Sequence, residues 1–68
     1  MKNNLEQIRK SKNLSQDQLS KLLKVSRQTI SSIENGRYNP SILLAFKLSI
    51  FFHLPIEEIF IYEEEYYD

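Results

Sequence analysis

The chain has 68 residues and a formal net charge of zero, with nine basic and nine acidic side chains. A chain of this length buries only about 60% of its unfolded surface, so residues 1–68 are predicted to form a single small domain. It has no cysteine and one histidine, which exclude a disulfide framework and a thiolate metal site. Residues 42–54, the longest apolar stretch, are too few for a membrane helix, and the first ten residues lack the apolar segment of a secretory signal. We therefore expect a cytoplasmic protein without a cofactor.

The zero net charge conceals a separation of charge along the chain. Residues 1–53 carry all nine basic side chains and three acidic ones, a net charge of +6. Residues 54–68 carry six acidic side chains and no basic one, a net charge of −6. This polarity suggests a basic face for a polyanion and an acidic end held away from it. Chance clustering on a solvated surface gives the same count, so charge alone leaves both interpretations open.

Capping residues and apolar spacing predict five helices in chain order. The first begins at Asn3 or Asn4 and runs to about Lys12. The second opens with Ser15 and Gln18, which have the spacing of a capping box. The residues predicted to form the apolar faces of these two helices are Leu5, Ile8, Leu19, Leu22 and Leu23.

The remaining three helices have their own start and stop signals. Ser26 is the predicted N-cap of the third helix, and Asn35-Gly36 ends it, because glycine suits the left-handed position after a helix. Pro40 fits the first turn of a fourth helix over about 41–52. Pro55 opens a short fifth helix.

The second and third helices have the spacing of a helix-turn-helix over residues 16–35. Val25 lies in the short turn, and Ile30 and Ile33 are predicted to face inward. The outward face of the third helix is then formed by Arg27, Gln28, Ser31 and Ser32. A purely structural helix would normally show Glu–Lys pairs there. Arginine and glutamine instead bond guanine and adenine edges in the major groove, which predicts base reading.

Residues 14–41, LSQDQLSKLLKVSRQTISSIENGRYNPS, carry a family resemblance. With the flanking helices, they resemble the Cro/repressor-type (Xre-like) helix-turn-helix family of DNA-binding proteins, over Leu5 to Phe60. Among stand-alone members, the chain is similar to the short cytolysin-repressor type, which forms a dimer with terminal β-strands. The resemblance implies an all-α, five-helix, phage-repressor-like fold that binds double-stranded DNA.

The resemblance also implies a role for individual positions. The implied base-reading residues are Arg27, Gln28, Ser31 and Ser32. The implied DNA-backbone contacts are Gln16, Lys24, Ser26, Asn35, Arg37, Tyr38 and Asn39. Arg9 and Glu34 match a structural ion pair that ties the first helix to the end of the third. Lys24 departs from the family pattern, because this turn position has positive φ and is most often glycine.

The predicted fourth helix is apolar on nearly every side. An outer helix of a five-helix domain needs only one apolar stripe, so we expect a partner chain to cover the second side. The dimerisation region is therefore predicted at about 42–66. The predicted interface residues are Leu43, Ile50, Leu54, Ile59, Phe60, Ile61 and Tyr62. Residues 60–64 have the composition of a strand, and we expect them to pair with residues 1–3 or with the dimer mate.

The sequence thus predicts a sequence-specific, double-stranded DNA-binding transcriptional regulator. We expect a repressor that binds a pseudo-palindromic operator as a homodimer. The alternative is a protein-interaction module, such as an antitoxin or regulatory partner, that docks through the apolar fourth helix and the C-terminal residues. The chain shows no nucleophile–base–orienter set and no phosphate-binding glycine loop, so we do not expect an enzyme.

Overall fold

A computed structural model describes residues 1–63 of the chain. Within these residues five α-helices follow one another, which confirms the all-α prediction. They are α1 (Leu5–Ser11), α2 (Gln16–Leu23), α3 (Arg27–Glu34), α4 (Ile42–Phe52) and α5 (Ile56–Ile59). Over the same part of the chain, no helix is long and apolar enough to span a membrane.

Three of the helices begin at a serine whose hydroxyl accepts a hydrogen bond from the first helical turn. Ser15 Oγ accepts from the Gln18 amide at 3.0 Å, and Gln18 Oε1 accepts from the Ser15 amide at 2.8 Å, which confirms the capping box. At the start of α3, Ser26 Oγ accepts from the Thr29 amide at 3.0 Å. Ser41 caps α4 at 3.2 Å, so Pro40 precedes the helix and does not occupy its first turn as predicted. Serine takes the N-cap because its side chain satisfies an amide that the helix cannot.

Several helices end in the left-handed region of backbone space. Lys24 ends α2 with φ +60°, and His53 ends α4 with φ +56°. Gly36 follows α3 with φ +81°, and Asn13 follows α1 with φ +59°. The positive φ expected at Lys24 and Gly36 is confirmed. Only glycine adopts this conformation without a steric cost, so the lysine and histidine are strained positions.

The hydrophobic core contains residues from all five helices and from the segment after α5. Its members are Leu5, Leu19, Leu23, Ile30, Ile33, Leu44, Ala45, Leu48, Phe52, Ile59 and Phe60. Leu19 of α2 and Ile30 and Ile33 of α3 are fully buried. The contact between α2 and α3 therefore places one face of α3 in the core and leaves the other face to solvent.

The two ends of the described chain pair with each other. Residues 2–4 run antiparallel to residues 59–61 and form an isolated β-bridge between Asn3 and Phe60. The Asn4 amide donates to the Ile59 carbonyl at 2.8 Å, and the Ile61 amide donates to the Lys2 carbonyl at 2.9 Å. The expected pairing with the first residues is present, but as a bridge and not as a strand. Glu64, the end of the predicted strand, and the last part of the predicted dimerisation region lie outside the described residues.

Candidate nucleic-acid interface

The outward face of α3 carries the four side chains that the sequence predicts to read bases. Arg27 and Gln28 lie in the first turn and are exposed, and Ser31 and Ser32 follow one turn later and are half-buried. Their spacing of four residues stacks them in two layers along the helix. The face therefore projects two long hydrogen-bonding side chains at its start and two small hydroxyls behind them.

Two open depressions flank this face, and Gln28 contributes to both. The first is lined by Gln16, Arg27, Gln28 and Ser31. The second is lined by Ser26, Gln28, Thr29, Ser32 and Tyr38. The structure thus brings residues from the start of α2, from α3 and from the segment after α3 onto one surface. Thr29 was not predicted there, and its hydroxyl lies 2.8 Å from that of Ser26.

A buried ion pair between α1 and α3 lies beside this surface. Arg9 Nε donates to Glu34 Oε2 at 2.7 Å, and Arg9 Nη2 donates to Glu34 Oε1 at 3.2 Å. The two side chains are only 8% and 4% exposed. Arg9 Nη1 also donates to the Leu14 carbonyl at 2.7 Å. The hydrogen bond to Glu34 raises the pKa of Arg9 despite its burial, so the arginine stays charged.

Gln16 joins the same network, which the sequence did not indicate. Its Nε2 donates to Glu34 Oε1 at 2.9 Å, so the carboxylate accepts bonds from side chains of both α1 and α2. One amide hydrogen of Gln16, predicted to contact a DNA phosphate, is thereby engaged within the chain. The pattern could not reveal this contact, because it depends on where the end of α3 lies relative to the start of α2.

The segment after α3 winds back onto the end of that helix. The amides of Arg37 and Tyr38 both donate to the Ser32 carbonyl, at 3.0 and 3.1 Å. Asn35 Oδ1 accepts from the Arg37 amide at 3.1 Å. Asn35, Arg37, Tyr38 and Asn39 are all exposed. Four of the predicted backbone-contacting side chains therefore form an exposed strip beginning at the end of α3.

The acidic side chains of residues 1–53 are neutralised by local pairs. Besides the buried pair, Glu6 bonds Lys10 at 3.0 Å and Asp17 bonds Lys21 at 3.1 Å. The hydrogen bond from Lys10 lowers the pKa of the exposed Glu6. Of the site cations, Lys24, Arg27 and Arg37 form no ion pair within residues 1–63. The same part of the chain contains no cluster of three or more acidic, histidine or cysteine side chains that could hold a metal ion.

Helix α4 exposes a second apolar face. Its members, between 51% and 74% exposed, are Ile42, Leu43, Phe46 and Ile50; we call them the α4 ridge. Leu43 and Ile50 are predicted interface residues, and the structure exposes Ile42 and Phe46 beside them. The opposite side of the helix packs into the core through Leu44, Ala45, Leu48 and Phe52.

The predicted interface residues after α4 divide into two groups. Ile59 is fully buried and Phe60 is 7% exposed, and both lie in the core of a single chain. They offer no surface to a partner, so the predicted interface role is corrected for these two residues. Helix α5 packs against α4, and Ile59 and Phe60 are buried in the core of their own chain. Leu54 and Ile61 are half-buried, and Tyr62 is exposed.

Known proteins are similar in sequence to this chain over nearly the whole described fold. A helix-turn-helix family matches residues 5–59. An uncharacterised HTH-type transcriptional regulator of Methanocaldococcus jannaschii is 55% identical over 65 residues, which cover 96% of this chain and 98% of the relative. The regulator YgzD of Bacillus subtilis is 42% identical over 65 residues, with the same coverage of both chains.

A third relative is longer and carries a functional name. The HTH-type transcriptional activator BcrR of Enterococcus faecalis is 42% identical over 60 residues, which cover 88% of this chain and 29% of the relative. The matched part therefore covers less than a third of that protein. With two layers of polar side chains on the outward face of α3, a capped helix-turn-helix and a match over residues 5–59, the chain belongs to the Xre-like helix-turn-helix family of DNA-binding transcriptional regulators.

Proposed function

We propose that the chain recognises a specific double-stranded DNA sequence by placing α3 in the major groove. The observation that carries the proposal is the exposed α3 face, on which Arg27 and Gln28 project with no acidic side chain beside them. Arginine bonds guanine bidentately and glutamine bonds adenine bidentately, and the small Ser31 and Ser32 allow a close approach to the bases. The family membership supports the same mode of binding.

The DNA backbone is contacted, in this proposal, on both sides of the groove. Gln16 and Ser26 mark the starts of α2 and α3, where a helix N-terminus favours an anion. Lys24 adds a charge in the turn between them. The exposed strip of Asn35, Arg37, Tyr38 and Asn39 contributes the contacts beyond the end of α3. Such contacts add salt-dependent affinity without sequence preference.

The binding unit is a homodimer in this proposal, with the α4 ridge at its centre. Contiguous exposed apolar side chains on a small domain mark an interaction surface, and two copies of one ridge can cover each other in a symmetric pair. Two reading helices would then lie one DNA turn, about 34 Å, apart on a pseudo-palindromic operator. The short cytolysin-repressor type of dimer remains part of the proposal, with Tyr62 at its edge.

We infer repression as the regulatory outcome, because a bound 68-residue chain blocks polymerase by occupying its site. The activator name of the Enterococcus faecalis relative makes activation the outcome to test against. A reporter whose promoter overlaps the selected operator should lose transcription when the protein is expressed. Increased transcription would contradict repression and leave DNA binding untouched.

A protein-interaction module is the second candidate, and the α4 ridge is the observation that favours it. Light scattering after size-exclusion chromatography separates the two. A homodimer of twice the 8.1 kDa chain mass accounts for the ridge by self-association. A monomer that aggregates favours docking to a different protein.

The reading function is tested by selecting bound sites from random duplexes and then measuring two variants. Arg27→Ala and Gln28→Ala should each lower the preference for the selected site by about 1–3 kcal/mol, because each loses a base contact. Lys21→Ala is the matched control, since it removes an exposed charge on α2 that is paired with Asp17. We expect it to keep the wild-type preference. Wild-type preference in both α3 variants would overturn the assignment.

A further inference from the structure

The side chain of Asn3 connects the C-terminal end of α3 to the first residues of the chain, which pair with residues 59–61. Its Nδ2 donates to the Ile33 carbonyl in the last turn of α3 at 2.8 Å, and to the Met1 carbonyl at 3.2 Å. Its Oδ1 accepts from the Leu5 amide at 3.1 Å. Both ends of the amide group are therefore used, which fixes its orientation.

Asn3 is itself held in place from both sides. Its backbone forms the β-bridge with Phe60, and the neighbouring residues bond to Ile59 and Ile61 at 2.8 and 2.9 Å. Asn4 Nδ2 adds a bond to the Glu58 carbonyl at 3.2 Å. The donor that reaches α3 is thus mounted on the paired ends of the chain, against the end of α5.

The carbonyl that Asn3 bonds is one that a helix leaves underused at its C-terminus. The Ile33 carbonyl also accepts from the Gly36 amide at 3.0 Å, so both of its lone pairs are engaged. The half-buried Ser32 immediately precedes Ile33 in the chain, and the exposed strip begins two residues after Ile33, at Asn35. An eight-residue helix is about 12 Å long, so a tilt of roughly 5° moves one end by about 1 Å. Hydrogen bonds to base edges tolerate only a few tenths of an ångström.

We propose that Asn3 is a positioning residue for DNA reading, which sets the angle of α3 by tying its C-terminal end to the paired chain ends. This inference rests on the proposed DNA-reading function. Asn3 contacts no base in this scheme. It acts through Ile33, and its removal changes how well the reading side chains fit one sequence over another.

Asn3→Asp tests the proposal, because aspartate has the same shape, keeps the acceptor for the Leu5 amide and loses the donor to the Ile33 and Met1 carbonyls. The matched control is Asn4→Asp, which adds the same charge one residue away and loses only the bond to Glu58. Affinities for the selected operator and for a scrambled duplex are measured at one salt concentration. Operator preference should fall about tenfold in Asn3→Asp, the equivalent of roughly one base contact, and less than twofold in Asn4→Asp.

Equal preferences in the two variants would overturn the role of Asn3 while leaving the proposed function intact. A wild-type protein that does not discriminate between the two duplexes would overturn both. Amide hydrogen exchange provides a second readout without DNA, on Asn3→Ala at a temperature where it is folded. Faster exchange confined to Gly36, Arg37 and Tyr38 supports positioning, whereas uniformly faster exchange means general destabilisation and contradicts it.

Discussion

At the scale of single residues, the carboxylate of Glu34 is the point where three helices are joined. Arg9 reaches it from α1, Gln16 reaches it from α2, and Glu34 itself ends α3. A buried carboxylate and guanidinium are each costly to leave without the other, because water no longer solvates them. The network therefore holds α3 in place mainly because either buried charge is costly without its partner, and less through a net attraction between them.

Removal of Arg9 should be strongly destabilising for this reason. Arg9→Met is expected to lower the free energy of unfolding by about 3–5 kcal/mol, since it leaves Glu34 buried without a cation. Lys10→Ala, which breaks the exposed pair with Glu6, should leave the free energy of unfolding almost unchanged, because solvent screens that pair. Urea denaturation followed by circular dichroism measures both. The double variant Arg9→Met, Glu34→Leu should recover part of the loss, and no recovery would contradict the stranded-charge explanation.

Lys24 shows a conflict between stability and function at one residue. Its φ of +60° strains a lysine, yet the side chain lies exposed in the turn where a phosphate contact is proposed. Glycine would relieve the strain and remove the charge. The two effects act on different measurements and can be separated.

Lys24→Gly should raise the free energy of unfolding by about 0.5–1 kcal/mol, because the left-handed conformation costs glycine nothing. Lys12→Gly is the matched control: this lysine ends α1 with φ −99°, so glycine there should destabilise slightly. In DNA titrations, Lys24→Gly should weaken operator and scrambled duplex alike and reduce the salt slope by about one. Lower stability in Lys24→Gly than in Lys12→Gly would be inconsistent with strain.

At the scale of secondary-structure elements, local chemistry made most of the helix ends predictable. The capping box of Ser15 and Gln18 and the glycine after α3 act through neighbours in sequence, so the pattern contains the cause. The predicted start of α4 was one residue too early, because Pro40 and Ser41 are both residues that favour the start of a helix. The structure uses the serine, whose hydroxyl bonds the helix, and places proline outside it.

Helix α4 shows what an apolar count leaves undetermined. Nearly every position from 42 to 52 is apolar, so the sequence predicted two buried sides without showing which residues face which way. Packing against the other helices decides this: Leu48 points into the core, and Ile42, Phe46 and Ile50 line the outer face at a spacing of four. Ile59 and Phe60 were misplaced because both side chains pack into the core of their own chain.

At the scale of the whole molecule, the proposed assembly depends on the α4 ridge being covered. Its four apolar side chains are each more than half exposed and all belong to one helix. Burial of such side chains against a second copy contributes roughly 1.5–3 kcal/mol for each one fully covered. Self-association is therefore expected to stabilise each chain as well as pair the reading helices.

Ile50→Glu should convert the proposed dimer to a monomer, because it places a charge on the apolar ridge. The chain should stay folded, since Ile50 is 72% exposed and contributes little to its own core. Gln7→Glu, which adds the same charge on an exposed position of α1, should remain a dimer. Light scattering gives the masses, and operator affinity should fall only in Ile50→Glu. A dimeric Ile50→Glu protein would move the interface away from α4.

The exposed face of α3 was more predictable than the connections that hold the helix in place. The outward residues of α3 follow from helical spacing within eight residues, so the exposed position of Arg27 and Gln28 could be predicted from the sequence alone. The bonds from Gln16 to Glu34 and from Asn3 to Ile33 join residues 18 and 30 positions apart. No local pattern encodes such contacts, because they exist only when the helices have their final arrangement.

The paired chain ends have a consequence for the order of folding. The α2–α3 contact closes a short loop, whereas the bond between Lys2 and Ile61 must close nearly the entire chain. The entropic cost of closure rises with loop length, so the helix-turn-helix should assemble first and the ends should join last. During that interval α3 is already a helix but is not yet bonded to Asn3. The protein would thus form α3 early and fix the direction of that helix in the final step of folding.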